Sequence, residues 1–393
     1  MQSLTDFAEA KLAEMDDASL RRRLVDSDRN GEGGLWITRG GRRLLSFSCN
    51  DYLNLAHDPR VKVAAVAAVE RYGVGAAASR LVTGNHPLYT VLEQKLAALK
   101  GTEAACVFGS GYLANAGIIP TFVGPKDLVV VDELAHACIW AGAKLSGATL
   151  RIFRHNDVDH AAQVLGTYRP RHGRALLVTD GVFSMDGDLA PLPALASLCA
   201  QHDTWLMTDD AHGIGVLAQG RGSSFAFGDK PLVPLQMGTL SKAVGGYGGY
   251  LCASQAVIDL VKTRARTLIY STGLPPATVA GAIASLDIIQ GDPDLCALPV
   301  AKARRFTALL NLPAAESPIV PIVLGGAEVT LRAQRLLEEE GLLVTAIRPP
   351  TVPAGTARLR VTFTAHTPDA EIERLAGLIR DRILPLKSVE SPE

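Results

Sequence analysis

Lys242 lies in the stretch QMGTLSKAVGGYGGYLCAS, Gln236 to Ser254, between two hydroxyls (Thr239, Ser241), apolar residues and a run of glycines. A lysine at the end of an apolar run is poorly hydrated. That lowers the pKa of its ammonium group and frees a neutral amine to act as nucleophile or base. A nucleotide phosphate loop, G-x-x-x-x-G-K-[ST], places the lysine after the glycines, whereas here it precedes them and Ala243 follows it. The dinucleotide pattern G-x-G-x-x-G fails as well, because Gly245, Gly246, Gly248 and Gly249 lead into the strand-like YLCAS. The lysine is therefore the candidate for chemistry.

Three further stretches offer complementary groups. FGSGYLAN follows an apolar run and opens a helix, so Gly109, Ser110, Gly111 and Tyr112 are either a tight turn with a cap or a phosphate cradle at a helix N-terminus. TWLMTDDAHG ends an apolar run with Asp209 and Asp210, then His212. Successive strand residues face opposite sides, so one aspartate alone joins a given site, and a carboxylate buried there needs a cationic partner. VTDGVFSMDGDLAP supplies Asp180, Ser184 and Asp186, with Ser184 either a ligand donor or an ordinary turn serine.

The elements that must position these groups are legible from periodicity. From about Pro59 to Gly291, the short runs AACVFGS, DLVVVD, ATLRIF, RALLVTD, TWLMTDD, LVPLQMG and GGYLCAS read as strands buried on both faces. Between them lie helical patterns such as Leu88, Val91, Leu92, Leu96 and Leu99, stopped by Gly101. This alternation predicts an α/β fold: a mostly parallel central sheet covered by helices on both faces, with ligands at the carboxyl ends of the strands. After QGDPDL, a smaller α+β domain follows, with a helix predicted over about Ala327 to Glu340 and a last one opening at TPDAEIERL. The expected division is an N-terminal helix and arm (1–55), a large α/β domain (56–290) and a small C-terminal domain (291–393). The N-terminal amphipathic helix and RRLLSFSCNDYL need a partner surface on either domain.

Composition narrows the ligand class. With 39 basic and 40 acidic residues, no global field favours nucleic acid or an anionic membrane. No apolar run approaches the ~20 residues of a membrane span, and the N-terminus lacks the layout of a secretory signal. Six widely spaced cysteines read as core thiols in a reducing compartment, which points to the cytoplasm, and the histidines form no metal-binding pattern.

Together an amine, an anion cradle, a carboxylate for a ring nitrogen and donors for a ring hydroxyl make up the set that pyridoxal 5'-phosphate requires. Over nearly the whole chain, the sequence resembles the α-oxoamine synthases of the class-II pyridoxal-phosphate-dependent aminotransferase superfamily. The resemblance rests on LRRR, SCNDYL, SGYLAN, DELAHAC, HNDV, GVFSMDGD, MTDDAHGIGV, TLSKAVGGYGG, LIYSTGLPP and TAIRPPTVPAGTARLRVT. It implies fold-type I and decarboxylative condensation of an amino acid with an acyl thioester. The last block is similar to the oxononanoate branch, which joins L-alanine to a pimeloyl group on coenzyme A or acyl carrier protein. Another branch, such as glycine with acetyl-CoA, is the alternative.

By matched position the resemblance implies that Lys242 is the Schiff-base lysine and that Gly111, Tyr112 and Thr239 hold the phosphate end. His136 stacks on the ring, Asp209 meets the ring nitrogen, and Ser184 and His212 lie near the ring hydroxyl. Arg348 takes the amino-acid carboxylate, with Arg21, Asn50 and Thr351 along the substrate path. Thr272 reaches the phosphate of a second subunit, which implies a homodimer with shared sites. Asn54 and Asp180 stand where family members more often have glycine and glutamate.

Overall fold

The computed structural model describes residues 2–17 and 20–389; residues 1 and 390–393, the outer limits of the first and third expected units, lie outside the described residues. Helix Leu4–Asp17 comes first, followed by β1 (Asp28–Gly31), β2 (Trp36–Arg39) and β3 (Arg42–Ser46), paired antiparallel in that order. The seven apolar runs then form β4 (Ala104–Phe108), β5 (Leu128–Asp132), β6 (Thr149–Phe153), β7 (Ala175–Asp180), β8 (Trp205–Asp209), β9 (Leu235–Thr239) and β10 (Gly249–Ala253). They make one sheet in the order β4-β10-β9-β8-β7-β5-β6. The neighbours from β6 to β9 are parallel, and β10 runs antiparallel to both β9 and β4.

Parallel neighbours require crossovers, and helices Gly111–Phe122, Ala137–Ser146, Val158–Tyr168 and Leu192–Gln201 supply them between β4 and β8. Alternate strand residues serve opposite faces. Phe108, Val129, Val131, Val178 and Met207 pack with Ile118, Ile139 and Ile258 on one side. Leu128, Val130, Leu177 and Leu206 pack with Leu165 and Leu195 on the other, and Val107 and Tyr250 extend that side against Leu92 and Leu286. β6 departs from the expected double burial: it is an edge strand, and its Ile152 is 45% exposed.

The smaller unit contains β11 (Ile319–Gly325), helix Ala327–Glu339, β12 (Leu342–Leu343), β13 (Thr345–Ile347), β14 (Ala357–Thr362) and helix Asp369–Leu378. β14 is central, antiparallel to β11 and β13. β3 pairs in parallel with β12, so the arm extends the small domain's structure. Leu45 and Phe47 enter its core beside Phe306 and Phe363, while Tyr52, Leu53 and Leu55 enter the large core. The arm therefore ties the two domains together. The expectation for the N-terminal helix is corrected: none of its residues is buried, and Leu4, Phe7, Leu12 and Met15 face solvent. Neither domain of this chain covers its apolar face.

Candidate active site

β7 and β8 end side by side at Asp180 and Asp209, and β9, the next strand, ends at Thr239. The head of helix Gly111–Phe122 arrives at the same edge because β10 seats Gly249 against the Ser110–Gly111 turn. A Cβ at Gly249 would lie 2.4 Å from the Ser110 carbonyl oxygen, so no other residue fits there. Gly245 adopts φ 71°, and a Cβ there would meet the Ala56 amide nitrogen at 2.4 Å. The glycines after Lys242 thus serve a tight bend and close packing.

Gly111, Tyr112, His136, Ser184, Asp209, His212, Thr239 and Lys242 line a single cavity of about 170 Å³, together with Cys138 and Asp180. At its helix end, Ser110 is the N-cap and its hydroxyl accepts the Leu113 amide. The cap takes the Leu113 amide, and the amides of Gly111 and Tyr112 before it, in the first turn, have no intrahelical partners, which is the geometry that binds anions. The Thr239 hydroxyl donates to the Gly248 carbonyl at 2.7 Å and accepts from the Ser241 amide at 3.2 Å. Contact with a phosphate therefore requires rotation of that hydroxyl.

Lys242 Nζ lies 2.6 Å from His212 Nε2, and His212 Nδ1 lies 2.7 Å from the Tyr52 hydroxyl. Burial pushes the Lys242 ammonium down to about 8, with Asp209 and Asp180 opposing the shift and the Arg360 charge adding to it. Burial and then the Lys242 charge hold His212 well below its ordinary value, so its ring is neutral. Asp209 is fixed by the Ala211 amide at 3.0 Å and by Asn115 Nδ2 at 2.7 Å. Asn115 also donates to Cys138 Sγ at 3.0 Å, and Cys138 Sγ sits 2.7 Å from His136 Nδ1. Asp180 accepts the His136 amide at 2.8 Å, and burial followed by the charge of Asp209 raises its carboxyl well above the usual range.

The cationic partner demanded by the paired aspartates meets Asp210, not Asp209. Lys100 Nζ reaches Asp210 Oδ2 at 2.6 Å and the Arg221 carbonyl at 2.7 Å, and both charged side chains are fully buried. Removing one partner strands the other charge in the interior, so Lys100→Met should cost about 3–5 kcal/mol of stability. A marked fall in the thermal midpoint checks this; an unchanged midpoint would contradict it.

A second ionic clip holds the motif HNDV. His155 Nδ1 bonds Asp132 at 3.1 Å and Nε2 bonds Asp188 at 2.7 Å. Burial opposes its charge, but the two carboxylates prevail and raise the imidazolium to about 10 from 6.5. The stabilising contribution is complete below pH 6.5 and disappears as pH rises through about 10. His155→Gln should therefore melt earlier than the parent at neutral pH, and the difference should shrink towards pH 10. A constant difference across that range would count against the clip.

The substrate-path candidates are spread more widely. Asn50 Oδ1 accepts from Arg360 Nη1 at 3.1 Å. Arg21 pairs with Asp16 at 2.6 Å, and it is Arg22 that donates to Thr351 Oγ1 at 3.0 Å. Arg22 and Thr351 line a second cavity of about 570 Å³ that shares His136 and Ser184 with the first. Half-buried Arg348 follows β13 and precedes Pro350 to Pro353 on that second cavity's wall. Thr272 is exposed and bridges Ser79, away from the cavity. Sequence reasoning missed Tyr52, Asn115, Cys138 and Arg360. An asparagine inside the apolar helix GYLANAGIIPTF was the one local signal among them.

The chain belongs to the aminotransferase class I and II family, whose model matches residues 42–379. Within it, the chain is similar to the 8-amino-7-oxononanoate synthase of Beijerinckia indica subsp. indica, at 62% identity over 388 residues, 99% of this chain and 100% of that one. The same-named protein of Methylocella silvestris is 66% identical over 345 residues, 88% of this chain and 98% of that one. Among solved structures, serine palmitoyltransferase from S. paucimobilis with bound PLP-myriocin aldimine matches with TM-score 0.92 and 28% identity, covering 98% of this chain and 100% of that one. The 8-amino-7-oxononanoate synthase of Francisella tularensis matches with TM-score 0.72 and 28% identity, over 88% and 97% of the two chains.

Proposed function

We propose that this protein condenses L-alanine with a pimeloyl thioester, carried by coenzyme A or acyl carrier protein, to give 8-amino-7-oxononanoate, carbon dioxide and the free thiol, a step of biotin synthesis. The observation that carries this is a single cavity joining the Lys242 amine, the Asp209 carboxylate, His136 and a helix N-terminus, in a chain more than 60% identical to proteins bearing that enzyme's name. The donor set fits pyridoxal 5'-phosphate: an amine for its aldehyde carbon, a carboxylate for its ring nitrogen and amides for its phosphate. When bound, that cofactor supplies an electron sink for negative charge at the amino-acid Cα.

Lys242 would hold the cofactor's aldehyde carbon, and its freed Nζ would take the alanine Cα proton. Asp209 would keep the proton at the ring nitrogen, and His136 would lie beside the ring. Ser184 and His212 would address the ring oxygen, while Gly111, Tyr112 and Thr239 would take the phosphate. Arg348 takes the alanine carboxylate, and Arg21, Asn50 and Thr351 line the approach, with Arg22 beside them through its bond to Thr351. The new bond joins the alanine Cα to the acyl carbon; the C–S bond breaks and the thiolate takes a proton from solvent to leave as thiol, the alanine carboxylate leaves as carbon dioxide, and the Cα regains the proton held at Lys242 Nζ. The test is thiol release by the purified protein with L-alanine and pimeloyl thioesters. Release with glycine and acetyl-CoA instead would overturn the assignment.

The active form is a homodimer, with Thr272 of a second copy completing the phosphate contacts. Support comes from the uncovered N-terminal helix and from exposed Val63, Val66, Val74, Leu81 and Val82. Sedimentation should give twice the 41.5 kDa chain mass; a monomer active at assay concentration would refute it. The working division is arm 1–55, large domain 56–290 and small domain 291–393. Among the described residues no helix is long and apolar enough to cross a membrane and the six cysteines are free, which supports a cytoplasmic enzyme.

A further inference from the structure

Behind the cavity runs a chain of hydrogen bonds through two buried residues, Arg360 and Tyr52, to which no role is assigned above. Arg360, on β14 of the small domain, donates through Nη1 to Asn50 Oδ1 at 3.1 Å and through Nη2 towards the Tyr52 hydroxyl at 3.5 Å. Its Nε bonds the Ser184 carbonyl. Tyr52 is fully buried; its hydroxyl lies 2.7 Å from His212 Nδ1 and 3.3 Å from Asn50 Oδ1. His212 Nε2 in turn lies 2.6 Å from Lys242 Nζ.

The polarity of this chain follows from what each group can donate. A guanidinium has hydrogens and no acceptor, so Arg360 can only donate to Tyr52 and Asn50. Tyrosine has a single hydrogen. Asn50 Oδ1 can accept from both Arg360 and Tyr52, but the tyrosine's contact to His212 Nδ1 is the shorter, 2.7 Å against 3.3 Å, which favours the hydrogen on the side of Nδ1. A neutral imidazole that accepts at Nδ1 must carry its own hydrogen on Nε2. Lys242 Nζ then has to accept at 2.6 Å, which only the uncharged amine can do.

We propose that Tyr52 is a positioning residue that fixes His212 with its hydrogen on Nε2, so that the ring presents a donor to Lys242 and favours that lysine's free-amine form. The proposal rests on Lys242 being the reactive lysine. The same tautomer presents a donor to the cofactor's ring oxygen, the role assigned to His212 above. Burial pushes the Tyr52 phenol up to about 12, which keeps its hydrogen in place at ordinary pH. The charged and titratable groups around Lys242 are divided: Asp209, Asp180 and the Cys138 thiol favour the ammonium, whereas burial and Arg360 oppose it. The hydrogen-bond direction set by Tyr52 adds to the second group.

The test reads the ring nitrogens directly, in full-length protein carrying ¹⁵N-histidine, before and during loading with pyridoxal 5'-phosphate. His212→Gln identifies the signal. The expected result is a protonated Nε2 and a bare Nδ1 that persist as cofactor is added. In Tyr52→Phe the tautomer is no longer fixed. The pH of half-maximal Lys242 labelling by an amine reagent in the cofactor-free protein then rises by about one unit, the worth of one hydrogen bond. A hydrogen on Nδ1 in the native protein overturns the proposal, as does an unchanged labelling pH in a Tyr52→Phe protein with native circular dichroism. If that variant does not fold, the native ring signal decides alone. Neither measurement needs substrate, so failure here is distinguishable from failure of the thiol-release assay.

Discussion

Lys242→Ala should reduce thiol release from pimeloyl thioester and L-alanine by at least ~10⁴-fold, since the substitution removes both a nucleophile and a proton-transfer group, and the latter alone contributes about 10²–10⁴-fold. Borohydride should fix the cofactor to the native chain and leave it dialysable from the variant. The prediction follows from a half-buried amine whose ammonium is pushed down to about 8 and which lines the cavity with Asp209 and His136. The substitution leaves the Lys100–Asp210 pair and the glycine bend untouched, so the fold should survive it. Retention of both turnover and borohydride fixation would assign the chemistry to another residue.

Asp209→Asn should keep cofactor affinity but slow exchange of the alanine Cα proton by on the order of 10³-fold, the scale of removing one preorganised electrostatic contact. An amide is nearly isosteric, and the Ala211 amide would still have an oxygen to bond. What it cannot do is hold a proton on a ring nitrogen. Its other side meets Asn115 Nδ2 at 2.7 Å, where an NH₂ facing an NH₂ would force one of the two amides to turn. Asn115→Asp tests that geometry separately: it sets a second carboxyl against Asp209 and should also slow exchange. Near-native exchange in Asp209→Asn would remove the carboxylate from its proposed role.

Much of this architecture was legible because buried strands announce themselves as short apolar runs, and all seven became strands of one sheet. Strand direction was not legible: the run GGYLCAS has the same composition as its neighbours, yet it runs antiparallel. The edge position of β6 was equally hidden, since it depends on strand order. At the site, residues next to strand and helix ends could be read from their local context, and they converge on one cavity. Tyr52, Cys138 and Arg360 could not, because their meaning comes from contacts with partners such as His212, His136 and Ser184. Lys100 illustrates the limit: at the end of an amphipathic helix it reads as a solvated cation near a helix C-terminus, whereas it is buried on Asp210. The N-terminal helix shows the converse, an apolar pattern that neither domain of the chain covers.

The reversed strand β10 also dictates when the site can exist. β4 is an edge strand whose single neighbour in the sheet is β10, and the two are separated by some 140 residues of chain, a span whose closure is slow. During synthesis, the Ser110–Gly111 turn emerges early but lacks the Gly249 backbone behind it until β10 is made. A nascent chain released before that point carries an unpaired strand edge and no lysine bend locked beside the cradle. Cofactor capture is accordingly expected only from chains in which β10 has joined the large sheet.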